Sequence, residues 1–166
     1  MPPPKTCAED ELAHVTAGMG AGLDAMLVHS LLRTHSYLSP FIDADLRRQK
    51  LTSAQFNTLL LLRSAGADGL RMHDVGERLV VTKSNVTGLI DRLERQGLVA
   101  RGPCRDRRAT VVRLTDAGEA LVDRAVPRHA QLLAELGAAL TDDQKRTLIR
   151  LLTRLRRELR RRKERS

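Results

Sequence analysis

Aromatic side chains are nearly missing from this sequence, which has no tryptophan, one tyrosine and two phenylalanines in 166 residues. A protein that holds single-stranded nucleic acid by stacking bases on ring platforms needs more of them. Tyr37, Phe41 and Phe56 also lie outside the basic part of the chain, on helix faces that read as buried. Cysteine is equally sparse, and Cys7 and Cys104 are too few and too far apart for a disulfide framework. No Cys-x-x-Cys or i, i+4 histidine pair accompanies His14, His29, His35, His73 and His129, so neither a metal nor another cofactor is expected. No apolar run approaches the length of a membrane span. The Pro-led start, "MPPPKTCAEDEL", has no apolar signal-peptide centre. These absences point to a reducing cytoplasm and no membrane partner. Phosphate-cradling glycine loops and nucleophile–base motifs are missing too, which argues against an enzyme.

Positive charge is abundant. The formal net charge is +9, a balance that favours phosphate-bearing partners and says nothing about fold. The excess collects in two places. One is Thr82 to Arg113, with eight Lys/Arg against Asp91, Glu94 and Asp106; the other is Arg156 to Arg165. With so few rings, Leu, Val and Ala must build the core, as in helical proteins.

Periodicity and caps give the order of elements. Residues 1–22 read as a flexible leader. A first helix runs from Leu23 to about Arg48, with Pro40 implying a kink or break. Thr52 and Gln55 make a capping box for the next helix, which Gly66 and Gly69 end. "LRMHDVGERLV" is a short helix with Met72, Val75 and Leu79 inward. Thr82 caps a helix over Lys83 to Gln96 that Gly97 stops. "LVARGPCRDRRATVVRLT" is a hairpin with a charged tip. Thr115 opens another helix, which Pro127 should bend. Thr141 and Gln144 cap the last helix, with Leu148, Leu151, Leu152, Leu155 and Leu159 along one side. The fold class expected is mainly α: a winged helix-turn-helix DNA-binding domain over 51–115, flanked by helices at 23–50 and 116–160, with a solvated basic tail at 161–166.

The helix from Lys83 carries the functional reading. Val86, Leu89, Ile90 and Leu93 form its apolar stripe, while Ser84, Gly88 and Arg95 lie opposite, flanked by Asn85, Thr87 and Arg92. Small hydrogen-bonding groups at a helix N-terminus suit phosphate and close approach to base edges in a major groove. The hairpin tip adds Arg105, Arg107 and Arg108, cations suited to a narrow minor groove. Asp106 braces that tip, and Asp91 reads as a local ion-pair partner, such as for a wing arginine.

These residues, "LTSAQFNTLLLL", "VTKSNVTGLIDRLERQGLV", "DRR" and "VVRLTDAGEAL", resemble the MarR family of bacterial transcription regulators, over roughly Leu23 to Leu159. The resemblance implies a homodimer with interleaved first and last helices that reads a pseudo-palindromic double-stranded operator and represses transcription. It assigns DNA contact to Thr82, Lys83, Ser84, Asn85, Thr87, Arg92, Arg105, Arg107 and Arg108. In the wing, Asp106 and Arg108 match the family's Asp-x-Arg motif. It also implies release by a small anionic or phenolic effector near His29, Arg33 and Tyr37 on the first helix, for which dimer packing is the plainer role. Oxidant sensing through Cys104, whose arginine neighbours lower a thiol pKa, or through Cys7 is the alternative trigger. Basic membrane-surface and RNA-binding proteins are the competing classes.

Overall fold

Capping chemistry written into the sequence sets several of the helix ends. The computed structural model describes residues 22–79, 83–103 and 110–165, and for Lys83, Ser84, Asn85 and Glu164 the backbone alone. Helix α1 (Leu23–Arg48) ends in a Schellman arrangement: Lys50 N–H donates to Arg47 O and Leu51 N–H to Leu46 O. That closure holds Lys50 at φ 59°, a left-handed conformation usually left to glycine. Pro40 does not break the helix. It sits on an exposed face, so the carbonyl that loses its partner, that of Ser36, lies on the watered side.

Helix α2 (Ser53–Ala65) opens with the full capping box. Thr52 N–H donates to Gln55 Oε1 at 2.9 Å, and Gln55 N–H to Thr52 Oγ1 at 3.2 Å. Gly66, at φ 63°, ends it and leads into a single 3-10 turn, Gly66–Asp68. Strand β1 (Leu70–Arg71) and helix α3 (Met72–Leu79) follow, then helix α4 (Lys83–Arg95), strand β2 (Val99–Pro103) and strand β3 (Thr110–Leu114). All three strands form one antiparallel sheet in the order β1-β3-β2. The sequence pattern shows the β2–β3 hairpin but not β1, whose two residues are too short for a period. Gly69 is required before β1: at φ 67°, a Cβ there would strike Val112 O and the side chains of Val111 and Arg113.

The core lies between α2, α3, α4 and the sheet. Phe56, Leu59, Leu62, Ile90, Leu93 and Val112 are all 2 % exposed or less. Val75 is buried as expected, while Met72 and Leu79 are half-buried. Two aromatic residues overturn the buried reading: Phe56 is inside, but Tyr37 and Phe41 are 64 % and 57 % exposed.

Helix α5 (Asp116–Leu136) runs unbroken across Pro127, which like Pro40 is exposed. Helix α6 (Asp142–Arg165) starts on the second capping box, Thr141 N–H to Gln144 Oε1 and Gln144 N–H to Thr141 Oγ1. It stays helical to Arg165, with Arg161, Arg162, Lys163 and Arg165 exposed. The chain divides into two units, Met1–Val122 and Asp123–Ser166, with the division inside α5.

Candidate nucleic-acid interface

Helix α4 is a two-sided element. Val86, Leu89, Ile90 and Leu93 are 0–4 % exposed, so the apolar stripe faces the core and the opposite side must face out. Thr87, Arg92 and Arg95 are exposed there, and Gly88 has nothing within 4 Å of where a Cβ would stand. A broad groove wall could therefore approach the backbone at Gly88 closely.

The C-terminal end of α4 is tied down by three neighbours. Gly97, at φ 69°, closes it by the same Schellman pattern as α1: Gly97 N–H donates to Glu94 O and Leu98 N–H to Leu93 O. Gln55 Nε2 of α2 donates to Gln96 Oε1 at 3.2 Å. Thr115 Oγ1 donates to Gly97 O at 2.6 Å and accepts from Gly118 N–H, so the cap of α5 also satisfies the exit of α4. A Cβ at Gly118 would collide with Leu98 O, which is why a glycine stands in the first turn of α5.

A guanidinium joins α4 to the hairpin. Arg101 on β2 donates through Nη2 to Asp91 Oδ1 and through Nη1 to Glu94 Oε2, and its own N–H donates to Glu94 Oε1 at 3.2 Å. Hydrogen bonding to Asp91 is the largest influence on Arg101. Together with the charge of Glu94 it outweighs burial and lifts the guanidinium above its ordinary pKa. One cation thus holds two carboxylates and offsets half of a negative charge that would otherwise repel phosphate. The ion-pair reading of Asp91 is correct, and its partner is a wing arginine. The share taken by Glu94 was missed, although its i, i+3 spacing from Asp91 just before a glycine stop was the available signal. On the neighbouring strand, Arg113 Nε donates to Ala67 O at 2.9 Å and ties β3 to the 3-10 turn.

Thr82, Arg105, Arg107, Arg108, Cys104 and Cys7 lie outside the described residues, as do the side chains of Lys83, Ser84 and Asn85. Thr87 and Arg92 share the exposed face of α4. On α1, His29 and Arg33 are half-buried, and Arg33 Nη2 donates to Tyr37 Oη at 3.3 Å with its guanidinium 5.9 Å from the ring centre. Among the described residues no cluster of His, Cys, Asp or Glu could hold a metal ion, and no helix is long and apolar enough to cross a membrane.

A short helix, a second helix with an exposed polar face and an antiparallel hairpin are the parts of a winged helix-turn-helix, a class of DNA-binding module. The comparisons with known proteins narrow the class. The MarR family model matches residues 49–109. The homoprotocatechuate degradative operon repressor of Escherichia coli is 30% identical over 118 residues, which are 70% of this chain and 76% of that protein. BpsR of Bordetella bronchiseptica, in a structure concerned with regulation of its DNA binding by 6-hydroxynicotinic acid, is 29% identical with a TM-score of 0.70, covering 78% of this chain and 97% of that one. MepR of S. aureus bound to DNA is 26% identical, also with a TM-score of 0.70, over 78% and 96%. The chain belongs to the MarR family, whose members are DNA-binding transcription regulators and not enzymes.

Proposed function

We propose that this protein is a cytoplasmic homodimeric repressor that binds a pseudo-palindromic double-stranded operator and leaves it when a small anionic or phenolic molecule binds. The observation that carries the reading is the build of α4: one face fully buried, the other exposing Thr87, Arg92 and Arg95 around Gly88, and its C-terminal half clamped by Arg101 to a basic hairpin. Such a helix enters a major groove as a rigid body, with Thr82, Lys83, Ser84, Asn85, Thr87 and Arg92 supplying contacts to bases and phosphates. Arg105, Arg107 and Arg108 then enter the flanking minor groove, where the potential is most negative.

Support for two copies comes from the apolar sides of α1 and α6, which stay exposed among the described residues. Leu27, Leu38 and Phe41 along one side of α1 and Leu148, Leu151 and Leu159 along one side of α6 are between 37 % and 57 % exposed. Contiguous apolar surface of this kind marks an association face. Effector binding is assigned to His29, Arg33 and Tyr37, where a guanidinium already held beside a phenol ring offers both charge and a flat apolar surface to an aromatic acid. The names of the two relatives above, a repressor of an aromatic-degradation operon and a regulator responsive to 6-hydroxynicotinic acid, support that ligand class.

A gel shift on the DNA upstream of the protein's own gene tests the reading. Retarded operator released by a phenolic acid, with release blunted in Arg33→Ala, is the expected result. Retention of the complex at every phenolic acid tried would remove the effector assignment, and absence of any shift would remove the repressor.

A further inference from the structure

Helix α6 carries more charge than an association helix needs. Over Asp142–Arg165 it has eleven Lys/Arg against four Asp/Glu, and nine of the eleven are arginine. At roughly 100° per residue, Arg146, Arg150, Arg154, Arg157, Arg161 and Arg165 share a sector about 100° wide and about 28 Å long. The centre of that sector lies about 145° around the helix from the centre of the leucine stripe. The ends of the row are partly spent, since Arg146 pairs with Asp143 and Arg161 with Glu158. Its middle, Arg150, Arg154 and Arg157, is exposed. Glu158 is the one acid in sequence between Asp143 and Glu164, and it is engaged by Arg161 and Arg162.

Like charges three and four residues apart weaken a helix, and nothing in the leucine stripe calls for them. We propose that the arginine row of α6 is a second, sequence-independent binding surface for the phosphate backbone of duplex DNA, separate from the α4 reading head. Charge complementarity favours phosphate, and arginine in preference to lysine favours its fork-like recognition. A lipid surface fits less well. An interfacial helix sinks its apolar face and lets flanking cations reach the headgroups, whereas this row stands nearly opposite the apolar stripe and would point to water. The inference rests on the DNA-binding reading only for the choice of partner; the row itself is independent of α4.

Charge-matched variants of the full-length protein test it. Arg150→Gln/Arg154→Gln/Arg157→Gln empties the row, while Arg156→Gln/Arg160→Gln/Lys163→Gln removes the same charge elsewhere on α6. Arg156 is a suitable control because it is turned back onto its own helix, donating to Leu152 O and Thr153 Oγ1. Glutamine keeps the helix propensity near that of arginine, and circular dichroism checks that each variant is as helical as the parent. Binding to a labelled duplex without operator sequence is followed by anisotropy across a salt series. The row variant should lower the slope of log affinity against log salt by about 2.7, at about 0.9 per phosphate contact, and the control by less than about 1. In both variants the operator footprint should keep its sequence and boundaries. Equal loss in the two variants would show a diffuse cationic coat and overturn the proposal, as would no loss in either. Binding to phosphatidylglycerol/phosphatidylcholine vesicles that the row variant abolishes, with duplex affinity unchanged, would overturn it in favour of lipid. If the parent binds non-operator duplex through the row but protects no operator, the proposed repressor function fails while this surface stands.

Discussion

Helices α4 and α6 have the same amphipathic signature in sequence and opposite fates in the fold. The stripe of α4 is sealed to within 4 % of full burial by α2, α3 and the sheet, whereas in the α6 stripe Leu148, Leu151 and Leu159 stay 43–55 % exposed and Leu152 and Leu155 are half-buried. An apolar stripe therefore states that a helix needs a partner without saying whose. In α4 the partner is in the same chain, which leaves the polar face outward, the face proposed to read DNA. In α6 much of the stripe stays exposed, and in the proposed homodimer a second copy supplies its cover.

The largest effect expected from breaking this comparison is at α6. Leu151→Asp places an unpaired charge on the association face and should convert a dimer to a monomer in light scattering. Operator affinity should then fall at least about 100-fold, as two linked half-site contacts become one. A dimer that survives the change would show that the stripe of α6 has another role. Ile90→Ala acts on the sealed stripe and should cost about 2–5 kcal/mol in chemical denaturation, since it opens a cavity in the core. A loss below about 1 kcal/mol would mean that α4 is not core-anchored.

The two Schellman ends sharpen the comparison further. Gly97 closes α4 at φ 69° without strain, while Lys50 closes α1 at φ 59° with a side chain that disfavours it. Lys50→Gly should gain up to about 1 kcal/mol, raising the denaturation midpoint, and Gly97→Ala should lose a similar amount; the same sign for both would contradict the geometry. Smallest in stability is Arg101→Met. The three side chains of its cluster are between 28 % and 47 % exposed, so solvent screening holds the loss to about 1 kcal/mol or less. Operator affinity should nevertheless drop several-fold, because Asp91 and Glu94 are left facing phosphate unneutralised. Unchanged affinity would show that the clamp does not matter to DNA binding.

Much of the fold was legible because the strongest local signals were chemical ones. Both Thr-x-x-Gln boxes, the Gly97 stop and the Thr115 cap stand where the sequence put them. Of the kink or break anticipated at Pro40, the break does not occur, and the carbonyl of Ser36 that loses its partner lies on an exposed face. Strand β1 escaped notice because two residues pair with β3 only once the chain has folded. At the interface, the buried half of α4 could be read from its period, but the Arg101 clamp joins residues seven and ten apart across a turn. Tyr37 and Phe41 misled because hydrophobic side chains signal burial in an assembly as readily as in a chain.

Hydroxyl-radical footprinting of the purified protein on the DNA upstream of its own gene tests the central claim most directly. The account predicts a protected patch with inverted-repeat symmetry, its two halves about one helical turn apart or a multiple of it. Protection without that symmetry, or none at operator-saturating concentrations of dimer, would contradict it.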